Sequence, residues 1–152
     1  MVLDDEVRCL SSLPFFASAS PSKLKLLAFN SDRVRFTPGQ ELFHEGDPGD
    51  AAYVILSGSV DITVETPRGL VSVAKAEKNS IVGEIALLSD GYRTATVSAL
   101  TPLETLRIDK QTFLKMMADC PSLMFSVLKV LATRLTTTTS ELAKHKGRAE
   151  FA

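Results

Sequence analysis

The sequence predicts an α+β fold that is mainly β: an antiparallel sandwich or barrel with helices at both ends. Two observations carry this prediction. Within residues 32–108, short runs of alternating apolar and polar residues recur about every eight to twelve positions, and glycine or proline separates most of them, as turns between strands require. On both sides of this region, the apolar residues return to helical spacing. The strand-like runs lie at residues 34–36, 42–44, 53–55, 60–64, 70–74, 97–99 and 103–108.

Length and composition are those of one globular domain. A chain of 152 residues is long enough for one core and short for two. The net charge of −1 disfavours a broad basic surface for nucleic acid. The apolar runs are too short to span a bilayer, and the acidic N-terminus does not resemble a signal peptide. Two cysteines give neither a disulfide framework nor metal-ligand spacing, so we expect a cytoplasmic protein without membrane or nucleic-acid partners.

Residues 1–31 are predicted to form an N-terminal helical segment. Ser20 precedes Pro21, an arrangement typical of a helix start, because serine caps the first turn and proline fits within it. The apolar residues Leu24 and Leu27 follow at helical spacing.

Residues 109–146 are predicted to hold two further helices. Asp109 is the expected cap of a helix over residues 110–118, and Pro121 breaks that helix. A longer helix then runs to about residue 146, and residues 147–152 form a tail.

The long last helix carries a seam of residues spaced four and three apart, as in a heptad repeat. The seam consists of Met124, Leu128, Leu131, Leu135, Thr138, Leu142 and His145. Two interpretations stay open. The stripe packs on its own β-domain, or it joins two copies into a homodimer in which Thr138 and His145 set the register.

The strongest functional signal lies in residues 82–99, VGEIALLSDGYRTATVSA. Gly83 lets the backbone come close to a ligand, and the short apolar stretch after it predicts a one-turn helix whose free N–H groups point at an anion. Arg93 offers a planar fork for phosphate oxygens. Glu84 would repel a bare anion but suits a ligand that also donates a hydroxyl, as a ribose does. In the empty protein, Glu84 and Arg93 could instead pair with each other.

This segment resembles the phosphate-binding cassette of cyclic-nucleotide-binding domains. The family pattern is Gly-Glu, a small-apolar pair, a short variable stretch and Arg-(Ser/Thr/Ala)-Ala, and it is matched by Gly83-Glu84, Ala86-Leu87 and Arg93-Thr94-Ala95. A glycine-punctuated stretch at residues 38–58 resembles the start of the same family's β-roll. The resemblance covers about residues 10–146. It implies a single domain over residues 1–152, an antiparallel β-roll (double-stranded β-helix or jelly roll) with N-terminal helices, a short phosphate-binding-cassette helix and C-terminal B- and C-type helices.

The resemblance also implies a cyclic nucleotide as the ligand. Arg93 would bind the cyclic phosphate, and Glu84 would bind the ribose 2′-hydroxyl. Thr94 keeps cyclic GMP as a candidate beside the favoured cyclic AMP. The predicted ligand-binding residues are Gly83, Glu84, Ile85, Ala86, Arg93, Thr94 and Ala95 of the cassette, Ile62, Val73 and Ala74 as an apolar wall for the base, and Thr138 and Thr139 as adenine contacts or, alternatively, plain exposed threonines.

The sequence predicts no enzyme, metal site or cofactor beyond the ligand. His44 and His145 are the only histidines, and the nucleophile-turn and Walker-type motifs are missing. The favoured hypothesis is a sensor that switches its C-terminal helix and signals to an unknown effector protein. The alternative is a degenerate domain that serves as a dimerisation or docking module without ligand. A transcription factor is disfavoured, since the chain stops at Ala152 without a helix-turn-helix after the long helix.

Overall fold

This computed structural model describes the backbone of residues 2–151 and the side chains of residues 3–143. Within that part of the chain, two four-stranded antiparallel sheets form a β-roll, with strand orders β1-β8-β3-β6 and β2-β7-β4-β5. The strands are β1 Asp32–Phe36, β2 Glu41–Phe43, β3 Ala51–Ser57, β4 Ser59–Thr66, β5 Gly69–Glu77, β6 Ile81–Val82, β7 Thr96–Ala99 and β8 Leu103–Asp109. The predicted fold class is confirmed. Strand β6 was missed because two residues are too few to show an alternating pattern.

Helices flank the roll at both ends of the chain. They are α1 Val2–Ser11, α2 Pro21–Phe29, α3 Lys110–Asp119 and α4 Pro121–Phe151, with short 3₁₀ helices at Pro14–Phe16 and Glu84–Leu87. We call Glu84–Leu87 the cassette helix. Both predicted caps are confirmed: Ser20 Oγ accepts from the N–H of Lys23 at 3.4 Å, and the Asp109 carboxylate accepts from the N–H of Thr112 at 2.9 Å.

Strand β3 is buried on both faces, and this creates two apolar cores. Val54 and Leu56 pack towards the helices, while Tyr53 and Ile55 point into the space between the sheets. The cassette helix lies beside both cores, because Leu87 packs in the helical core and Val82, just before the cassette helix, packs between the sheets.

Only the first part of α4 packs on the domain. Leu123 and Val127 are buried, whereas every described side chain from residue 132 to 143 is exposed. Packing of the whole predicted seam on its own β-roll is therefore wrong. The exposed seam residues are Met124, Leu128, Leu135, Thr138 and Leu142, and Leu131 is half-buried. The side chain of His145 lies outside the described residues.

Among the described helices, none is by itself long and apolar enough to cross a bilayer. Helices α3 and α4 meet that test only as a pair, across a bend of 114°.

Candidate ligand-binding site

A pocket of about 250 Å³ opens between the two sheets beside the cassette helix. It brings together every predicted residue of the cassette and one predicted wall residue, Ile62. The cassette residues that line it are Gly83, Glu84, Ile85, Ala86, Arg93, Thr94 and Ala95. Phe43, Val82 and Val97 add apolar side chains from the two sheets.

Gly83 occupies a position that only glycine fits. Its φ of 74° lies in the left-handed region. A Cβ there would lie 2.6 Å from Nη1 of Arg93 and 2.9 Å from the Phe43 ring. The glycine therefore provides both the backbone turn into the cassette helix and the space for the arginine.

A second glycine, Gly49, lets the cassette helix lie against the loop before β3. A Cβ on Gly49 would come within 2.5 Å of the Cβ of Ala86. The upstream glycine stretch and the cassette are thus in direct contact, although they lie far apart in the sequence.

The guanidinium of Arg93 is held deep in the pocket wall, with 4% of its side chain exposed. Nη2 donates to the carbonyl of Ala51 at 2.6 Å, and Nη1 donates to the carbonyl of Gly83 at 3.2 Å. Its Cζ lies 3.9 Å from the centre of the Phe43 ring. Nε is buried and has no hydrogen-bond partner among the described residues. Burial lowers the pKa of Arg93.

The backbone of Arg93 is fixed by the glycine-punctuated loop. Its N–H donates to the carbonyl of Asp47 at 2.7 Å, and its carbonyl accepts from the N–H of Gly46 at 2.9 Å. The two sequence motifs therefore form one site, because the first holds the backbone of the second.

Glu84 does not pair with Arg93, so that prediction is wrong. Its partner is Arg134 of α4, whose Nη1 lies 2.5 Å from Oε1 of Glu84. The guanidinium of Arg93 is bonded instead to the backbone carbonyls of Gly83 and Ala51. No described residue hydrogen-bonds to Oε2 of Glu84.

Other predicted ligand residues lie outside this pocket. Val73 and Ala74 are exposed on β5. Ala74 pairs with Ile62 of β4, whereas Val73 has no partner on β4 because the register shifts there. Thr138 and Thr139 lie on the exposed part of α4. Their roles stay predictions.

Sequence reasoning missed several residues of the site, among them Val82 and Val97 of the pocket lining. Arg134 and Phe43 contact the cassette through tertiary structure alone. Asp50, whose carboxylate lies 3.9 Å from Nη2 of Arg93, follows Gly49 directly, and this Gly-Asp step in the upstream motif was the available signal.

Residues 33–120 match the profile of the Cyclic nucleotide-binding domain family. The chain belongs to this family. The domain is 31% identical over 140 residues to the CRP-like cAMP-activated global transcriptional regulator of Mycobacterium tuberculosis, a match that covers 91% of this chain and 62% of that protein. It is 30% identical over 116 residues to a cAMP-dependent protein kinase regulatory subunit of Emericella nidulans, covering 76% of this chain and 27% of that protein.

Solved structures give the same family assignment. The N-terminal domain of a transcriptional regulator from Streptomyces coelicolor superposes with a TM-score of 0.76 at 31% identity, covering 87% of this chain and 95% of that chain. The catabolite activator protein of Thermus thermophilus gives a TM-score of 0.78 at 27% identity, covering 85% of this chain and 61% of that chain. This domain spans less than two thirds of the length of the curated relatives described above.

Proposed function

We propose that this cyclic nucleotide-binding domain is a sensor for cyclic AMP, with cyclic GMP as the second candidate ligand. The observation that carries the proposal is the buried Arg93 at the wall of the pocket, next to Glu84. Among the described residues, Nε of Arg93 has no hydrogen-bond partner, and the bond from Arg134 uses only Oε1 of Glu84. The guanidinium of Arg93 attracts a phosphate, and the carboxylate of Glu84 accepts a hydrogen bond from a hydroxyl. A cyclic nucleotide presents both groups on one rigid ligand.

The electrostatics of the site favour an anion beside Arg93. The Asp50 carboxylate lies 3.9 Å from Arg93 and 3.3 Å from Arg107, and the charge of Asp47 also acts on Arg93, whose burial is still the largest effect on its pKa. A cyclic phosphate would add a negative charge beside Arg93 and lower the cost of keeping it buried. The N–H of Ala86 already donates to the carbonyl of Gly83 at 3.2 Å. The first N–H groups of the cassette helix, those of Glu84 and Ile85, are therefore the expected backbone donors.

The ribose and the base are expected to contact Glu84 and the apolar lining of the pocket. The ribose 2′-hydroxyl donates to Oε2 of Glu84 while Oε1 keeps its bond to Arg134, because a carboxylate accepts several hydrogen bonds. Ile62, Val82 and Val97 offer an apolar surface for the base. Thr94 lines the pocket next to Arg93 and is the side chain we expect to influence the choice between adenine and guanine.

Ligand binding is proposed to change the position of the C-terminal helices. Leu87 of the cassette helix packs in the same core as Phe113 of α3, and Glu84 is bonded to Arg134 of α4. A cassette that closes on the phosphate therefore acts on both helices, with residues 109–121 as the hinge. The exposed part of α4 then closes over the base and brings Thr138 and Thr139 to the ligand. The ligand shifts this equilibrium only by its difference in affinity for the two states.

The output is proposed to be a contact with an effector protein, in a cytoplasmic homodimer joined through the exposed seam of α4. The net charge of −1 supports a protein rather than a nucleic acid as the recipient of the signal. The role is one of binding and regulation without catalysis.

Calorimetric titration of the purified domain with cyclic AMP, cyclic GMP and 5′-AMP tests the proposal. We expect saturable binding of cyclic AMP, weaker binding of cyclic GMP, and little binding of 5′-AMP, whose open phosphate carries more charge and a different shape. Thr94→Ala should change the ratio of the two cyclic nucleotide affinities. If neither cyclic nucleotide binds or raises the unfolding temperature, the alternative of a docking module without ligand replaces the sensor.

Hydrogen exchange over residues 113–142, with and without cyclic AMP, tests the switch separately. We expect changed protection in α3 and α4. Identical protection in the two states would contradict the switch while leaving binding intact.

A further inference from the structure

Lys110, the first residue of α3, contacts two other segments of the site. Its Nζ donates to the carbonyl of Ser89 at 2.6 Å and to the Asp90 carboxylate at 2.8 Å. Its backbone N–H donates to the carbonyl of Asp50 at 2.9 Å. One residue thus joins the turn after the cassette helix, the start of α3 and the loop that faces Arg93.

The position of this cation is unfavourable for α3 itself. The N-terminus of a helix carries a partial positive charge, which a lysine opposes. The carboxylate of the N-cap residue Asp109 offsets part of this cost while it accepts from the N–H and hydroxyl of Thr112, and the first turn of α3 itself has no acidic residue. The charge of Lys110 therefore adds nothing to the stability of α3, and its side chain bonds to the cassette turn instead.

Other described contacts also hold the turn: Ser89 Oγ donates to the carbonyl of Ile85 at 3.1 Å, the carbonyl of Gly91 accepts a long bond of 3.4 Å from the N–H of Gly49, and Tyr92 forms a β-bridge with Pro48. The Asp90 side chain between them is fully exposed. The Lys110 side chain, in contrast, is only 23% exposed, and its Nζ donates to the carbonyl of Ser89. The hydrogen bond from Lys110 also lowers the pKa of Asp90, as expected for a formed contact.

We propose that Lys110 is a positioning residue that couples the turn after the cassette helix to α3. A nucleotide that draws the cassette inward moves Ser89 and Asp90, and the ammonium carries this movement to the first turn of the hinge helix. Leu87 and Phe113 of α3 share an apolar core, and apolar packing is non-directional. The two hydrogen bonds of Lys110 are directional and fix the position of the turn relative to the start of α3. This inference rests on the proposed function, because it assigns a further residue to the same switch.

Hydrogen exchange with and without cyclic AMP tests the coupling in the wild type and three variants. Lys110→Met keeps most of the side-chain length and removes the charge, Lys110→Arg restores it, and Lys115→Met is the control on the same helix. In Lys110→Met we expect the protection of residues 83–94 to respond to nucleotide, while the response of residues 110–120 falls to half or less. The affinity for cyclic AMP should fall by about two- to fivefold, the size expected for a mostly exposed ion pair. Lys110→Arg and Lys115→Met should behave like the wild type.

A response of α3 in Lys110→Met equal to that of the wild type would overturn the inference. So would a loss of response in Lys110→Arg, because the role would then not depend on the cation.

A ligand-free measurement separates this inference from the proposed function. In the empty protein, Lys110→Met should speed exchange at residues 89–92 and raise the pKa of Asp90 measured by carbon NMR, and Lys115→Met should do neither. If the wild type binds no cyclic nucleotide, the proposed function fails, and this comparison still decides whether Lys110 holds the turn. Equal exchange and an equal pKa of Asp90 in both variants would refute the role of Lys110.

Discussion

Arg134 of α4 donates to Glu84 of the cassette helix across 2.5 Å, although the two residues are 50 positions apart in the chain. The guanidinium of Arg134 also lies 5.4 Å from the centre of the Phe15 ring. The residue expected to bind the ribose is therefore already bonded to the helix expected to move. This pair gives the site a direct path to α4 that does not pass through the apolar core.

The role of Glu84 predicts a specific response to 2′-deoxy cyclic AMP. In the wild type, loss of the ribose hydroxyl should weaken binding by about tenfold or more, since a hydrogen bond to a charged group contributes about 1.5–3 kcal/mol. In Glu84→Ala, cyclic AMP and its 2′-deoxy analogue should bind with similar, reduced affinities. Competition against a fluorescent nucleotide measures all four constants. An undiminished preference for the ribose form in Glu84→Ala would assign the hydroxyl to another residue.

The contact between Gly49 and Ala86 predicts a rescue. Gly49→Ala places a methyl within 2.5 Å of the Ala86 Cβ, so it should lower both the free energy of unfolding and the affinity for cyclic AMP. We expect a loss of stability of about 1–3 kcal/mol, typical of overpacking. The double variant Gly49→Ala/Ala86→Gly should recover most of it, because the second change removes the clashing methyl.

Urea unfolding measures this cycle, and Gly39→Ala serves as a control in which strain comes from a φ of 88° with no neighbour within 4 Å. If the double variant is as unstable as the sum of the two single variants, the clash is not the cause.

The cap of α3 predicts a dependence of stability on pH. The N–H of Thr112 lowers the pKa of Asp109, so the ionised cap stabilises the folded state above the ordinary pKa of about 3.9 and loses this effect as the pH falls through the lowered value. Asp109→Ala should therefore cost about 0.5–2 kcal/mol at pH 7, and the difference from wild type should shrink at pH 3. Urea unfolding at both pH values tests this, with the exposed Asp32→Ala as control. A difference that stays constant with pH would contradict the ionised cap.

The exposed seam of α4 predicts a ligand-independent test of dimerisation. Leu135 and Leu142 are mostly exposed in one protomer, and a seam of this kind is stable when it pairs with a second copy. Sedimentation velocity should give a dimer for the wild type and a monomer for Leu135→Glu/Leu142→Glu. Leu26→Glu, at an exposed position on α2, should leave the dimer intact. A monomeric wild type would contradict the proposed homodimer.

Local patterns predicted the fold class, the helix caps and an anion site, and the family resemblance identified the cassette. The glycine-separated alternating runs correspond to the long strands, and the caps at Ser20 and Asp109 form with the predicted side chains. Gly83, Arg93 and their neighbours lie within one short segment, which keeps them near one another, and contacts with the loop before β3 then fix Arg93 in the pocket.

Contacts over long sequence distances could not be predicted in this way. Glu84 and Arg93 carry opposite charges at short separation, and that favoured a pair between them. In the structure, Arg93 donates to the carbonyls of Gly83 and Ala51, and Glu84 accepts from Arg134. Burial decides this outcome, since a buried guanidinium needs acceptors in its plane, and backbone carbonyls within the cassette and at the start of β3 supply them. Such competition between partners is set by the tertiary fold.

The most direct test of the account is the affinity of Arg93→Ala for cyclic AMP, measured by calorimetry beside the wild type. Arg35→Ala, at an exposed arginine on β1, is the control, and circular dichroism together with Arg93→Lys separates a loss of binding from a loss of folding. The account predicts that Arg93→Ala weakens binding by about one to two orders of magnitude or more, because a charge-assisted hydrogen bond contributes about 1.5–3 kcal/mol. Folded Arg93→Ala with the affinity of the wild type would contradict it.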